Sequence, residues 1–119
     1  MKTNLWLLAA MLSSLMLASC GGYGNNTCTI SAAITPATAT ADHTLASPGN
    51  QAQFALTSSV KGNCPYIADL VGVWSSSDPT NAPINGQGVV TCNAATSATI
   101  SNSSTVRGHA FTSATLTCK

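Results

Sequence analysis

The chain has 119 residues, with four Lys and Arg against three Asp, no Glu, a net charge of +1 and only 6% charged residues. That length sets one small domain as the limit. So neutral a chain has no basic patch for phosphate backbones, which excludes nucleic acid as a partner, and it is poor in groups for acid–base chemistry or metal binding.

Lys2 makes the start positive, and Leu5 to Leu17 is an apolar stretch too short for a bilayer, which takes about 20 residues. Small residues, Ala18 and Ser19, then precede Cys20. The run Leu17-Ala18-Ser19-Cys20 resembles the lipobox of bacterial lipoproteins. The resemblance implies that residues 1–19 are a cleaved lipoprotein signal peptide. It also implies that the Cys20 thiol is acylated and that Cys20 becomes the first mature residue. An ordinary secretory signal peptide and an uncleaved anchor are the rival readings. The polar Gly-Gly-Tyr-Gly-Asn-Asn-Thr tether that follows favours the lipobox. The chain thus divides into the signal peptide, a lipidated cysteine with its tether at 20–27, and a folded domain at 28–119.

In the mature part Lys61, Arg107 and Lys119 balance Asp42, Asp69 and Asp78, so its net charge is zero. Setting Cys20 aside leaves Cys28, Cys64, Cys92 and Cys118, an even number in an exported chain. That predicts two disulfides, for which four cysteines allow three connectivities. Zinc would want close pairs such as C-x2-C, and none is present.

Along the domain, Cys28, Ile30, Ala32 and Ile34 alternate with Thr29, Ser31 and Ala33, the period of a half-buried strand. Pro36 stops it, and 37–40 makes a short edge segment before the Ser47-Pro48-Gly49-Asn50 turn. In the strand from Gln51 to Val60, Phe54, Leu56 and Ser58 share one face. A loop at 61–69 leads to Leu70-Val71-Gly72-Val73-Trp74, the most apolar strand of the mature chain. Leu70, Gly72 and Trp74 share a face there, which places Trp74 at the centre of the core. Ser75 to Pro79 is a turn with side-chain caps. A weak strand is expected at 82–85, then strands at 88–92, at 97–104 with Ala98 and Ile100 inward, and at 111–118 with Ala114, Leu116 and Cys118 inward. Arg107-Gly108 turns the chain between the last two. About seven short strands and no 3.6-residue period predict an all-β, antiparallel β-sandwich.

Ile34-Thr35-Pro36, Gln51-Ala52-Gln53-Phe54, Val73-Trp74-Ser75-Ser76-Ser77-Asp78-Pro79, Gly88-Val89-Val90-Thr91, Ala98-Thr99-Ile100 and Ala114-Thr115-Leu116-Thr117 occur in that order. Over residues 28–118 this resembles the bacterial group-2 immunoglobulin-like domain. The whole chain is similar to short acidobacterial-type lipoproteins ending in Leu-Thr-Cys-Lys. The four cysteines and the longer loop at 61–69 depart from the group-2 pattern. An immunoglobulin-like strand order implies Cys28–Cys64 at one pole and Cys92–Cys118 at the other. Each bridge would stabilise by roughly 3–4 kcal/mol in the chain-entropy model.

Candidate sites are thin. His43 and His109 could form a metal or catalytic pair, but both fall in loops, where exposed or turn-bonded histidines are the better account. Asp78 with Ser75 to Ser77 and Asn81 offers oxygen ligands, yet one carboxylate suits a turn cap better than calcium. No serine stands in a G-x-S-x-G context. Tyr23 and Tyr66 are the aromatics best placed for recognition. The sequons at Asn25 and Asn102 matter only in a eukaryotic secretory pathway, against which the lipobox argues.

These residues point away from an enzyme and from any cofactor or metal. The expectation is a non-enzymatic protein of the cell envelope, held on the outer membrane by acyl chains on Cys20. Its immunoglobulin-like domain would serve as a binding, adhesion or structural module toward a protein or glycan. The alternative is a small periplasmic accessory or inhibitor lipoprotein acting on an envelope enzyme.

Overall fold

Alternating side chains become strands almost wherever the pattern is regular. The computed structural model of the protein describes residues 27–119. The segment expected to be a signal peptide, Cys20, Tyr23 and the Asn25 sequon lie outside the described residues. Among the described residues the regular structure is all β, in eleven short segments. They are β1 (Thr29–Thr35), β2 (Thr38–Ala41), β3 (Gln51–Gln53), β4 (Ala55–Lys61), β5 (Ala68–Asp69), β6 (Trp74–Ser76), β7 (Val89–Thr91), β8 (Thr96–Asn102), β9 (Thr105–Val106), β10 (His109–Ala110) and β11 (Ala114–Cys118).

One layer is a four-stranded sheet in the order β2-β11-β8-β6. Its pairs are antiparallel except β2 with β11, which run parallel. The opposite layer combines β1 with β4 and β3 with β7, both antiparallel. Phe54 joins β3 to β4, and its amide donates to the Gly88 carbonyl at 2.8 Å. One run of chain therefore pairs first with β7 and then with β1. Pro36 divides β1 from β2, so the N-terminal strand contributes to both layers. Proline has no N–H to continue a ladder, which makes it a natural switch point.

The core lies between the layers. Ile34, Phe54, Val90, Ile100, Val106 and Leu116 are its largest fully buried apolar side chains. β11 shows why: Ala114, Leu116 and Cys118 are buried while Thr115 and Thr117 are exposed. β8 likewise buries Ala98, Ile100 and Asn102. Register pairs Leu56 with Ile34 and Val60 with Ile30 across β4 and β1. These cross-strand pairs are the unit of sheet stability. Outward faces carry hydroxyls in place of charge. Thr35 Oγ1 meets Thr57 Oγ1 at 2.8 Å, and Ser75 Oγ meets Ser101 Oγ at 2.7 Å.

Three expectations need correction. The apolar run at 70–74 is not one buried strand: Leu70, Val71 and Val73 are exposed, and only Trp74 enters β6. Trp74 is half-buried and packs at the margin of the core, so Phe54 and its neighbours hold the centre instead. The strand expected at 82–85 is reduced to one bridge, Ile84 with Val90. In its place Asn85 Oδ1 accepts the amides of Gln87 and Val89, both at 3.0 Å, and closes a turn.

Candidate functional site

The domain has two poles, set by the direction of the β3–β4 run. At its start, Asn50 accepts the Cys92 amide at 2.8 Å, and Cys92 is joined to Cys118. Beyond its end, Cys64 is joined to Cys28. Cα separations of 5.6 and 5.9 Å suit such bridges without displacing the backbone. Cys92 and Cys118 are buried, whereas Cys28 is exposed. About ten residues of extended chain separate the two poles, or roughly 33 Å.

At the Cys92–Cys118 pole the polar residues serve turns. The Asp78 carboxylate accepts Thr96 Oγ1 at 2.7 Å, Asn81 Nδ2 at 3.0 Å and the Asn81 amide at 3.1 Å. The Thr96 hydroxyl, and then Asn81, hold its pKa below the usual carboxylate value. Both oxygens are engaged by protein donors, so the residue works as a cap. Asp42 does the same for Thr44, taking its hydroxyl at 2.6 Å and its amide at 2.9 Å, and its pKa is lowered chiefly by that hydroxyl. The His43 amide and Nδ1 each lie 2.9 Å from the Lys119 carbonyl.

His109 lies in β10, at the opposite pole, so the structure does not bring the two histidines together. Neither has a Ser, Thr or Cys hydrogen-bond partner among the described residues. No group of three or more His, Cys, Asp or Glu side chains occurs among the described residues, and no concave pocket opens among them. Asn102 is buried and its Oδ1 accepts the Ser104 amide at 2.9 Å, so its sequon is closed to modification in the folded domain.

The Cys28–Cys64 pole is different. β5 pairs with β9, Asp69 opposite Thr105, and β6 pairs with β8, Trp74 opposite Asn102. Between those two pairs, Leu70 to Val73 stand opposite only Ser103 and Ser104. This is a bulge of two extra residues, which re-aims side chains and breaks the period. The bulge is pinned through its backbone. The Gly72 amide donates to Ser104 Oγ at 3.1 Å, the Val73 amide donates to Ser103 Oγ at 2.8 Å, and the Val73 carbonyl accepts the Ser103 amide at 3.1 Å. Gly72 must lack a side chain, because a Cβ there would run into the Ser103–Ser104 backbone. Order in this segment comes from these bonds, and its apolar side chains stay in solvent: Val71 is 88% and Val73 73% exposed.

The exposed set continues into the preceding loop. Tyr66 and Ile67 are more than half exposed. Tyr66 Oη lies 2.7 Å from Ser58 Oγ on β4, and the Ile67 carbonyl accepts the Arg107 amide at 2.7 Å. Arg107 and Gly108 both have positive φ, at 48° and 79°, and form the tight turn of the β9–β10 hairpin. The Arg107 guanidinium returns to the Pro65 carbonyl at 2.9 Å.

Of the residues singled out from sequence, Tyr66 belongs to this surface, and Asp78 and His43 are turn-bonded elsewhere. Ile67, Leu70, Val71 and Val73 were missed as surface residues. The available signal was Gly72 inside an apolar strand pattern, which marks a bulge or a close backbone approach. No protein-family model matches the chain, and no curated protein matches it. Among the described residues no helix is long and apolar enough to cross a membrane.

Proposed function

We propose that the protein is a non-enzymatic, lipid-anchored component of the cell envelope, displayed as an immunoglobulin-like module for binding, adhesion or structural support. The observation that carries this reading is Leu17-Ala18-Ser19-Cys20, which ends a short apolar segment and precedes a polar tether. Two disulfides in so short a domain support an exported, oxidising location. The strand order supports the immunoglobulin-like resemblance. Reading β2, β11, β8 and β6 as strands A′, G, F and C, and β1, β3–β4 and β7 as A, B and E, is compatible with this order. A surface of paired hydroxyls with few charges suits a passive module better than one acting on charged substrates.

One acyl chain holds a protein on a bilayer only marginally, so stable anchoring requires Cys20 to carry more than one. Growth with an alkyne fatty acid, followed by membrane fractionation, tests the anchor. Label should enter the native chain and be absent from Cys20→Ala, which should also leave the membrane fraction. A Cys20→Ala variant that remains wholly in the membrane overturns the proposal.

A further inference from the structure

We propose that the Cys28–Cys64 pole is a membrane-docking face, on which Tyr66, Ile67, Leu70, Val71 and Val73 contact the phospholipid surface and lay the domain against it. The inference rests on the acyl anchor at Cys20 for its geometry, and it names the surface that the anchored domain touches.

Three observations select a bilayer as the occupant. The first is where the undescribed chain ends. Thr27 passes directly over Gly62, beside the Cys28–Cys64 bridge, so the N-terminal chain arrives at this pole. From Cys20 to Cys28 there are eight residue steps, which reach at most about 29 Å when fully extended. An anchor at Cys20 therefore holds this pole within that distance of the lipid, whereas the far pole is under no such tether.

The second is the apolar surface. Among the described residues, five of the six exposed large hydrophobics lie in the segment 66–73, and Leu45 is the sixth. Part of this segment's backbone is bonded within the protein, which lowers the cost of entering an interface. The Gly72 and Val73 amides donate to Ser104 and Ser103, the Val71 amide donates to Asp69 Oδ1 at 3.3 Å, and the Ile67 carbonyl accepts the Arg107 amide. Tyr66 adds an amphipathic ring of the kind that settles at headgroup level.

The third is charge. Lys61 and Arg107 against Asp69 give this pole +1, whereas Lys119 against Asp42 and Asp78 gives the other −1. A weakly positive apolar pole and a weakly negative polar one orient the domain toward anionic lipid.

The test compares two attachments on nanodiscs of phosphatidylethanolamine and phosphatidylglycerol that contain spin-labelled lipid. One is the native acylated protein. The other is the chain 20–119 with its Cys20 thiol coupled to a maleimide phospholipid, which restores the attachment point whether or not the cell acylates it. Methyl resonances of Ile67, Leu70, Val71 and Val73 should be lost to the spin label, while that of Leu45, exposed to the same degree as Leu70 but at the far pole, is retained. In Val71→Ser/Val73→Ser the loss at Ile67 and Leu70 should be relieved, with the core methyls unshifted. Retention of all these resonances on the maleimide-coupled chain overturns the proposal, because the domain then stands off the lipid. So does a concentration-dependent dimer in solution that Val71→Ser/Val73→Ser abolishes, since the face then belongs to a second copy. A native Cys20 without acyl chains would overturn the anchor, while the maleimide-coupled result would still decide the docking face.

Discussion

Gly72 and Ser104 meet backbone to backbone. The glycine amide donates to the serine hydroxyl at 3.1 Å, and a Cβ on Gly72 would collide with the Ser104 amide. This contact turns an apolar stretch outward and forms the face assigned to the membrane.

Replacing Gly72 with alanine should therefore destabilise the domain by about 1–3 kcal/mol, the usual range for forcing volume into a closed contact. Denaturant unfolding reads the change. An unaltered midpoint would show that the bulge relaxes freely and does not depend on this contact.

Val71→Ser and Val73→Ser should leave stability within about 0.5 kcal/mol, because both side chains are already in water. Phe54→Ala should cost about 3–5 kcal/mol through lost burial and the cavity left behind. Thermal unfolding of the three variants separates them. A large loss in the valine variants would return the 70–74 run to the core.

The two disulfides should differ in reducibility. Cys28 is exposed and Cys92 and Cys118 are buried, so limited dithiothreitol should open Cys28–Cys64 first. Each bridge closes a loop whose removal costs roughly 3–4 kcal/mol in the chain-entropy model, and loss of Cys92–Cys118 should add a packing penalty to that. Alkylation with mass mapping follows the order. Earlier opening of Cys92–Cys118 would contradict it.

Acid should weaken the fold below the ordinary aspartate range. Asp78 and Asp42 have folded pKa values lowered from 3.8, by the Thr96 and Thr44 hydroxyls first. Each folded carboxylate is ionised more readily than in the unfolded chain. The stability it contributes is present above 3.8 and is lost as pH falls toward the lowered value. Asp78→Asn should flatten that acid limb in chemical unfolding measured from pH 5 to pH 2. An unchanged slope would remove Asp78 as its source.

Much of the sandwich could be read from residues alone, because β8 and β11 bury the faces that alternation marks, and β4 and most of β1 alternate between half-buried and exposed positions as the pattern indicates. The stretch at 70–74 could not. Composition there indicates burial, while the actual conformation depends on Ser103 and Ser104, thirty residues away, supplying hydroxyls to its amides. Asn85 likewise replaced a weak strand with a side-chain-closed turn. The Asn85 partners, the Gln87 and Val89 amides, are local, whereas no local pattern contains Ser103 or Ser104. Asp78 was legible as a cap because its donor Asn81 is local, although the contribution of Thr96 required the fold.

The central claim is that Cys20 is the acylated first residue of the mature protein, and intact mass with N-terminal peptide sequencing of the protein from isolated membranes tests it most directly. The expected species is a chain of residues 20–119 whose Cys20 carries acyl chains and whose other four cysteines are in disulfides. A chain that retains residues 1–19, or that begins elsewhere with Cys20 unmodified, would contradict it.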